Sequence, residues 1–223
     1  MTIAERALDF VPNNGLIGLG SGRAAHAFVR ALGERVGSGR IHVRGIPTSE
    51  ETAELARAAG IPLSSLSRND VLDVTVDGAD EVDSSLNLIK GYGRALVREK
   101  IVAAASKQLL ILVGQEKLVS QLGSRGKLPV EVVPFALPLC QQRIQQLGFR
   151  SVIWAKDGHP LTTDNCNNIL DCAVSSITDP VQLESNLRAI PGVVGTGLFL
   201  GMAHRVLVGT GGDLELVEER NRA

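Results

Sequence analysis

Short apolar runs in the first half of the chain end at turn residues and alternate with segments in which apolar positions recur every three to four residues. The runs at 15–20, 72–77 and 108–113 are typical of β-strands. Helices are predicted at 2–10 and from about Arg94 onward, where alanine, leucine and charged residues favour the helical state. Strands that alternate with helices favour an α/β fold built on a parallel sheet.

The pattern changes after a glycine-rich segment near the middle of the chain. The order that follows is strand, helix, strand, strand, helix, strand, which resembles a ferredoxin-like module. Asp179-Pro180 marks the start of its second helix, because proline is favoured at the first helical position. We therefore expect a Rossmann-like parallel sheet domain of residues 1–124, completed by 198–223, with a smaller α+β domain of residues 125–197 inserted into it.

Composition is that of a globular protein rather than of a nucleic-acid or membrane protein. The 223 residues are 44% hydrophobic and 21% charged, and the net charge of −1 does not indicate a polyanionic partner. No apolar run reaches membrane-spanning length, and the segment MTIAERALDF does not resemble a signal peptide. The three cysteines show no C-x-x-C spacing, which is typical of a reducing compartment, so we expect a cytoplasmic protein.

Five charged side chains lie between positions 73 and 106 where folding alone does not readily account for a charge: Asp77, Asp80, Glu81, Lys90 and Glu99. The strand 72–77 ends at Asp77-Gly78. If that strand is parallel and central, Asp77 lies at the edge of the sheet where α/β proteins bind ligands. The alternative is a solvated turn, because aspartate and glycine are common turn residues.

Glu99 is the candidate general base. A surface glutamate on a helix usually has a lysine or arginine three or four positions away. The neighbours of Glu99 at these spacings are all apolar: Ala95, Leu96, Val102 and Ala103. We expect Glu99, in the second turn of its helix, to be partly desolvated, which would raise the pKa of its carboxyl group and suit removal of a proton from carbon. The alternative is a glutamate that extends past small side chains into solvent.

The segment LIKGYGRA combines Lys90 with Gly91 and Gly93. Glycines allow the backbone to approach a ligand and to present N–H groups to it. Lysine and backbone N–H groups hold oxyanions or phosphate, whereas nearby aspartates accept hydrogen bonds from hydroxyl groups. This combination suits a polyhydroxylated, anionic small molecule.

The turn after the first predicted strand differs from the dinucleotide-binding pattern G-x-G-x-x-G. Gly18 and Gly20 match this pattern, but its third glycine position is occupied by Arg23. What remains is a helix N-terminus, whose N–H groups form a suitable anion site. The alternative is a tight turn that binds nothing.

Several motifs at matching spacing resemble those of type A ribose-5-phosphate isomerases. The segment DGADEVDSSLNLIKGYGRALVREKIVA resembles the signature of that family, and GIPTS, LPVEVVPFA and TDNCN resemble three further family motifs. In the last of them Cys166 replaces a glycine, so a positive φ at this position would be slightly strained. The resemblance covers nearly the whole chain and implies a homo-oligomer, either a dimer or a tetramer.

The resemblance also implies the interconversion of D-ribose 5-phosphate and D-ribulose 5-phosphate in the non-oxidative pentose phosphate pathway. Glu99 would transfer the proton between C2 and C1 through a cis-enediolate, and Lys90 with the glycine-turn N–H groups would stabilise its oxyanion. Asp77 and Asp80 would hold hydroxyl groups and assist ring opening. We expect no cofactor and no metal, because no histidine accompanies the carboxylates, although two aspartates can also hold a magnesium ion.

The family's substrate-binding positions correspond in this sequence to Ser21, Gly22, Arg23, Ala24, Asp77, Gly78, Ala79, Asp80, Lys90, Gly91, Tyr92, Gly93 and Lys117. Arg23 and Ala24 replace hydroxylated residues, and we expect Arg23 to supply phosphate-binding charge in place of a family lysine that has no counterpart here. Tyr92 replaces a small residue and is expected to flank the site. Two alternatives remain: a sugar-phosphate-sensing module, although no helix-turn-helix accompanies it, and an isomerase for another sugar phosphate.

Overall fold

The computed structural model describes residues 1–212 and 214–222, and the chain divides into two compact units. The first unit consists of Met1–Ala79, Arg98–Lys117 and Gly201–Ala223, and the second consists of Asp80–Val97 and Leu118–Leu200. No helix in the described part of the chain is long and apolar enough to cross a bilayer.

A six-stranded sheet forms the centre of the first unit. Numbered in chain order, its strands are β1 (Gly15–Leu19), β2 (Val43–Pro47), β3 (Val74–Gly78), β6 (Leu109–Gly114), β14 (Arg205–Thr210) and β15 (Glu215–Asn221). They lie in the order β15-β14-β6-β3-β1-β2, and every neighbouring pair is parallel except β14 and β15. The five parallel strands have a doubly wound order, with the change of direction between β1 and β3, where such folds bind ligands.

The four α-helices in the first half of the chain are α1 (Ile3–Ala7), α2 (Arg23–Gly37), α3 (Glu50–Ala58) and α4 (Leu96–Ala104). Two of them, α1 and α3, begin at residues that provide side-chain N-caps. Thr2 and Glu5 form a capping box at α1, and the Ser49 hydroxyl accepts a hydrogen bond from the backbone N–H of Thr52 at α3. Phe28 of α2 is fully buried in one core with Ile17 of β1, so α2 packs against the sheet.

Helix α4 begins two residues later than the sequence predicts. Arg94 has a φ of +69°, which lies in the left-handed region and cannot continue a right-handed helix. The helix therefore starts at Leu96, and the prediction that Glu99 lies in the second turn is wrong, since it lies in the first.

The second unit contains the predicted ferredoxin-like module. Its elements are β7 (Lys127–Val132), α5 (Leu137–Gln146), β8 (Ser151–Ile153), β11 (Asn168–Ala173), α6 (Pro180–Arg188) and β12 (Val193–Thr196). The strands form an antiparallel sheet in the order β12-β7-β11-β8. Leu128, Val130 and Val132 of β7 pack in the core of this unit with Ile144 of α5. Because side chains alternate along a strand, Pro129 and Glu131 lie on the opposite face.

Two small antiparallel sheets complete the second unit. A hairpin joins β9 (Ala155–Lys156) to β10 (His159–Pro160), and a three-stranded sheet consists of β4 (Glu81–Val82), β5 (Leu88–Ile89) and β13 (Leu198–Phe199) in the order β13-β5-β4. Asp80 comes directly before β4 and Lys90 directly after β5. This small sheet therefore positions two of the predicted site residues.

The predicted fold class is confirmed: a mostly parallel α/β sheet is combined with a smaller α+β module. The predicted domain boundaries, residues 1–124 with 198–223 and residues 125–197, stay a prediction. In the structure, residues 80–97 belong to the second compact unit. Residues 198–223, which we expected to complete the sheet domain, contribute β14 and β15 to the six-stranded sheet, while Asp213 and Ala223 of this range lie outside the described residues.

Candidate active site

In the first unit, Asp77 and Ser21 meet at the change of strand direction. The Ser21 backbone N–H donates to Asp77 Oδ1 at 3.1 Å, and the Gly78 backbone N–H donates to the same oxygen at 2.7 Å. Asp77 is 1% exposed and lies at the carboxyl end of the central strand β3, as predicted. A carboxylate in this position is not a solvated turn residue, because it is buried and is oriented by two backbone N–H groups.

The space for Asp77 depends on the absence of a side chain at Gly20. A Cβ atom at that position would lie 2.3 Å from Asp77 Oδ1 and 2.5 Å from the Asp77 Cα. The Gly20 N–H also donates to the Val76 carbonyl at 2.9 Å, so the backbone segments after β1 and at the end of β3 run close together. Gly20 is therefore required for this close approach.

The Ser21 hydroxyl belongs to a buried cluster of hydroxyl groups. Its Oγ lies 2.8 Å from Thr48 Oγ1, 2.8 Å from Ser49 Oγ and 3.2 Å from Thr52 Oγ1. The Thr48 and Thr52 hydroxyls also donate to the carbonyls of Leu19 and Gly20, at 3.1 and 3.0 Å. The cluster joins the turn after β1 to the N-terminus of α3 and holds the glycine-rich turn in place.

The N-terminus of α2 has no side-chain cap. Its N-cap residue is Gly22, with a φ of +88°, and Arg23 is the first helical residue. Gly22 and Arg23 are exposed and Ala24 is half-buried. The first N–H groups of a helix lack helical partners, so this end of α2 is suited to an anion.

Glu99 is almost completely buried. It is 4% exposed and lies in the first turn of α4, so the prediction that the Glu99 side chain is shielded from solvent is confirmed.

Lys117, which also belongs to the first unit, is half-buried at the end of a 3₁₀ turn that follows β6. Gly78 and Ala79 are half-buried and continue the chain from Asp77 towards Asp80.

In the second unit, the turn formed by Lys90–Arg94 holds Asp80. The Tyr92 backbone N–H donates to Asp80 Oδ2 at 2.9 Å, and the Asp80 N–H donates to the Ile89 carbonyl at 2.8 Å. Lys90 is 3% exposed, and its Nζ lies 5.5 Å from the centre of the Phe199 ring. A buried ammonium group of this kind exerts a stronger field than an exposed one.

Two glycines of this turn have different surroundings. Gly91 has a φ of +103°, and an added Cβ atom would lie 2.8 Å from Leu96 Cδ2, so only glycine fits there. Gly93 is exposed, and an added Cβ would meet no atom within 4 Å. The turn is thus tightly packed at Gly91 and open at Gly93.

The Tyr92 ring packs within the second unit. Its hydroxyl donates to the Lys127 carbonyl at 3.0 Å, and Lys127 Nζ lies 4.0 Å from the ring centre. Burial, together with the negative charges of Glu81 and Asp80, raises the pKa of Tyr92 to about 12. Among the predicted site residues of this unit, Tyr92 contacts Asp80 through its backbone N–H.

Folding does account for the charge of Glu81. This residue is fully buried, and its two carboxylate oxygens accept hydrogen bonds from the backbone N–H groups of Gly123 (2.6 Å) and Arg125 (2.7 Å). The carboxylate therefore fixes the loop before β7. The prediction that folding does not account for the charge of Glu81 is wrong. The two N–H groups that it binds lie more than forty positions away, so no local sequence pattern indicates them.

The sequence interpretation also missed two other anchored charges in the second unit. The Arg94 guanidinium pairs with Asp171, and the buried Glu131 Oε1 accepts hydrogen bonds from Thr163, Asn165 and Asn167. Among residues 1–212 and 214–222, no group of three or more His, Cys, Asp or Glu side chains is arranged to hold a metal ion.

Comparison with known proteins identifies the family. Residues 44–213 match the family model of ribose 5-phosphate isomerase A (phosphoriboisomerase A). The chain belongs to this family. Ribose-5-phosphate isomerase A of Roseiflexus castenholzii is 50% identical over 216 residues, which cover 96% of this chain and 92% of that protein. The protein of the same name from Parvibaculum lavamentivorans is 47% identical, with coverages of 96% and 95%.

Solved structures of ribose-5-phosphate isomerases have the same fold. The enzyme from Methanocaldococcus jannaschii superposes with a TM-score of 0.89 at 38% identity, covering 97% of this chain and 96% of that one. A D-ribose-5-phosphate isomerase in complex with phospho-erythronic acid gives 0.92 at 38% identity, with coverages of 98% and 96%. The chain is therefore an aldose–ketose isomerase that interconverts ribose 5-phosphate and ribulose 5-phosphate.

Proposed function

We propose that this isomerisation proceeds through a metal-free cis-enediolate in which Glu99 transfers the proton. The C–H bond beside the carbonyl group of the open-chain aldose is acidic. Glu99 removes the proton from C2 and returns it to C1, while the enediolate oxygen is stabilised by Lys90 and by N–H groups of the Gly91–Gly93 turn. Carboxylate and ammonium groups suffice for this reaction, and no cofactor or metal takes part in the proposed steps.

The burial of Glu99 is the observation that supports its role most strongly. A carboxylate that is 4% exposed is largely shielded from bulk water, as a general base in a closed active site is. Proton abstraction from carbon needs such a base. Glu99 also lies in the segment DGADEVDSSLNLIKGYGRALVREKIVA, which resembles the signature of the family to which the chain belongs.

The buried cation of Lys90 supports its role in stabilising the oxyanion. Charge stabilisation at a developing oxyanion is commonly the largest catalytic contribution, and it is stronger where water is excluded. Lys90 is 3% exposed and its backbone is fixed by donation to the Gly197 carbonyl at 2.9 Å. The ammonium group therefore needs little reorganisation when charge develops on the substrate.

We propose that Asp77 and Asp80 hold substrate hydroxyl groups and assist ring opening. Asp77 is oriented by the backbone N–H groups of Ser21 and Gly78, and Asp80 by that of Tyr92. Carboxylate oxygens accept hydrogen bonds from hydroxyl groups, which suits both side chains to a polyhydroxylated substrate.

For the phosphate group we propose Arg23 with the N-terminus of α2, together with Lys117. The guanidinium group and the first N–H groups of a helix are both suited to phosphate. Arg23 is exposed at this terminus, and Gly22 leaves it without a side-chain cap. The relative that binds phospho-erythronic acid, a compound with a phosphate and a carboxylate group, supports an anionic sugar phosphate as ligand.

The experiment that tests this mechanism is isomerisation of ribose 5-phosphate in deuterium oxide, compared with a panel of pentose and hexose phosphates. We expect ribose 5-phosphate to be the best substrate and ribulose 5-phosphate to gain deuterium at C1. Quantitative retention of the substrate hydrogen, with no exchange at any conversion, would instead indicate a hydride shift. A hexose phosphate as the best substrate would contradict the substrate assignment.

We further propose that the protein acts in the cytoplasm, in the non-oxidative pentose phosphate pathway, as a homodimer. Membership of an isomerase family and the absence of a membrane-spanning helix among the described residues are consistent with this proposal. Light scattering coupled to size-exclusion chromatography tests the oligomeric state. A mass near one 23.6 kDa chain would contradict the dimer, and a fourfold mass would favour the tetramer.

A further inference from the structure

Arg94 adopts a backbone conformation that arginine rarely takes. Its φ is +69°, in the left-handed region that favours glycine, and it is the last residue of the turn that contains Lys90. A non-glycine residue persists in such a conformation only where surrounding contacts determine it. The Arg94 side chain supplies such contacts through Asp171 and Trp154.

The Arg94 side chain is held by a bidentate ion pair and by contact with an aromatic ring. Its Nη1 donates to Asp171 Oδ1 at 2.7 Å and its Nη2 donates to Asp171 Oδ2 at 2.9 Å. Its guanidinium carbon lies 5.1 Å from the centre of the Trp154 ring. The two ionic side chains are only 17% and 20% exposed, so solvent screens this pair less than a surface pair.

The same face of the ferredoxin-like sheet also holds Tyr92. Lys127 Nζ lies 3.8 Å from Asp171 Oδ2 and 4.0 Å from the centre of the Tyr92 ring, and the Tyr92 hydroxyl donates to the Lys127 carbonyl. Asp171 lies opposite Pro129 in the sheet, and an added Cβ at Gly91 would lie 3.3 Å from the Pro129 Cβ. Three residues of the turn therefore rest on one face of β7 and β11.

The anchored turn orients two groups to which we assign catalytic roles. Lys90 begins the turn, and the Tyr92 N–H donates to Asp80. A change in the conformation of residues 91–94 would move this N–H group and the Lys90 backbone together. We infer that Arg94, paired with Asp171, is a positioning residue that holds the Lys90–Gly93 turn in its catalytic conformation. This inference rests on the proposed roles of Lys90 and Asp80.

The first test is the variant Arg94→Gly, because glycine accepts the left-handed conformation and only the guanidinium anchor is lost. We expect kcat to fall by about 10- to 100-fold, since a displacement of about 1 Å costs on the order of 10²-fold. We expect KM to stay within about three-fold, because an oxyanion contact acts mainly in the transition state. Amide hydrogen exchange in residues 88–95 should become faster, while the thermal midpoint changes little.

Asp171→Asn removes the same ion pair from the other side and is nearly isosteric, so it decides the question if Arg94→Gly does not fold. We expect a similar loss of kcat, and no further loss in the double variant, because both substitutions remove the Arg94–Asp171 pair and only the longer contact of Asp171 with Lys127, at 3.8 Å, is lost in addition. Arg220→Ala serves as the matched control, since Arg220 pairs with Glu218 on strand β15 of the first unit. That variant should retain wild-type kcat.

Three results would overturn the inference: unchanged kcat in Arg94→Gly or Asp171→Asn, losses that multiply in the double variant, or a loss expressed only in the thermal midpoint. Failure of the proposed roles of Lys90 and Asp80 gives a different result, because Lys90→Met and Asp80→Asn would then retain wild-type kcat, whatever the effect of Arg94→Gly. The exchange measurement on residues 88–95 needs no substrate and tests the anchor in either case.

Discussion

Gly20 and Asp77 are in such close contact that a single added methyl group would overlap the carboxylate. The distance from an ideal Cβ at Gly20 to Asp77 Oδ1 would be 2.3 Å, and both residues lie at the change of strand direction in the sheet. The neighbouring atoms include the Asp77 Cα, so moving the side chain alone does not relieve the overlap. The position of a predicted catalytic carboxylate is thus determined by a residue that has no side chain.

Gly20→Ala should therefore reduce both stability and activity. Overpacking of a closely packed site costs about 1–3 kcal/mol, and displacement of Asp77 should lower kcat at least ten-fold. Urea unfolding and steady-state kinetics measure the two effects. Gly37→Ala is the matched control, because an added Cβ there meets no atom within 4 Å. It should be neutral or slightly stabilising, since alanine favours helices over glycine. Equal behaviour of the two variants would contradict the assigned contact.

Glu99→Gln keeps the shape of the side chain and removes its basicity. A positioned general base contributes about 10²–10⁴-fold, so we expect kcat to fall by at least 10² while substrate affinity is largely kept. Stopped assays and calorimetric binding of ribose 5-phosphate measure the two quantities separately. Glu54→Gln, at an exposed position on α3, should retain full activity. Turnover near the wild-type value in Glu99→Gln would exclude Glu99 as the base.

Arg23→Ser should mainly raise KM for the phosphorylated sugar. A hydrogen bond to a charged group contributes about 1.5–3 kcal/mol, which corresponds to roughly 10- to 150-fold in kcat/KM at about 1.4 kcal/mol per decade. The loss should appear in KM because phosphate is held equally in the ground and transition states. Reaction with unphosphorylated ribose should hardly change. Arg30→Ser, an exposed position on the same helix, is the control; equal losses on both sugars in Arg23→Ser would remove Arg23 from the phosphate site.

Isomerase activity should survive exhaustive chelation. The proposed steps use a carboxylate base and an ammonium group, so removal of divalent ions should leave kcat and KM within experimental error. Activity is measured after dialysis against a chelator and again after addition of magnesium, manganese or zinc. Loss on chelation with recovery on adding one of these ions would contradict the enediolate mechanism.

Tyr92 should make stability depend on pH in alkaline solution. Its pKa is raised from 10.0 to about 12 in the folded protein, so the folded state favours the protonated phenol. This contribution is fully present below pH 10 and is lost as the pH rises from about 10 to 12. The Tyr92→Phe variant lacks it. The difference in unfolding free energy between wild type and Tyr92→Phe should therefore shrink across this interval, and a constant difference would show that the phenol does not titrate as described. Activity near neutral pH should be unchanged, because the backbone N–H to Asp80 is retained.

Local signals in the sequence predicted the fold well. Asp179 caps α6 through its side chain and Pro180 takes the first helical position, as the pair predicts. The period-two pattern before Asp77 predicted a strand, and β3 forms there. It pairs in parallel with β1 and β6, and both of its faces are buried. Cys166 has a φ of +59°, which confirms that this position requires the conformation for which glycine is suited.

The contacts that lie far apart in the chain could not be predicted. Helix propensity extends back to Arg94, yet Arg94 pairs with Asp171, 77 positions away, and its left-handed conformation delays the start of α4 to Leu96. Glu81 has no local partner, and the loop that satisfies it follows some forty residues later. The orientation of the Tyr92 ring depends on Lys127 in the same way. Tertiary contacts override propensity at these positions.

The position of β14 in the sheet has a consequence for synthesis on the ribosome. This strand pairs with β6 on one side and with β15 on the other, although β6 ends at Gly114 and β14 begins at Arg205. Until the last residues emerge, β6 has an unpaired edge, and every residue of that strand is apolar or glycine. Such an edge can pair with other chains. We therefore expect nascent chains stalled before residue 205 to require chaperone protection, and C-terminal truncation to cause aggregation rather than a partly active enzyme.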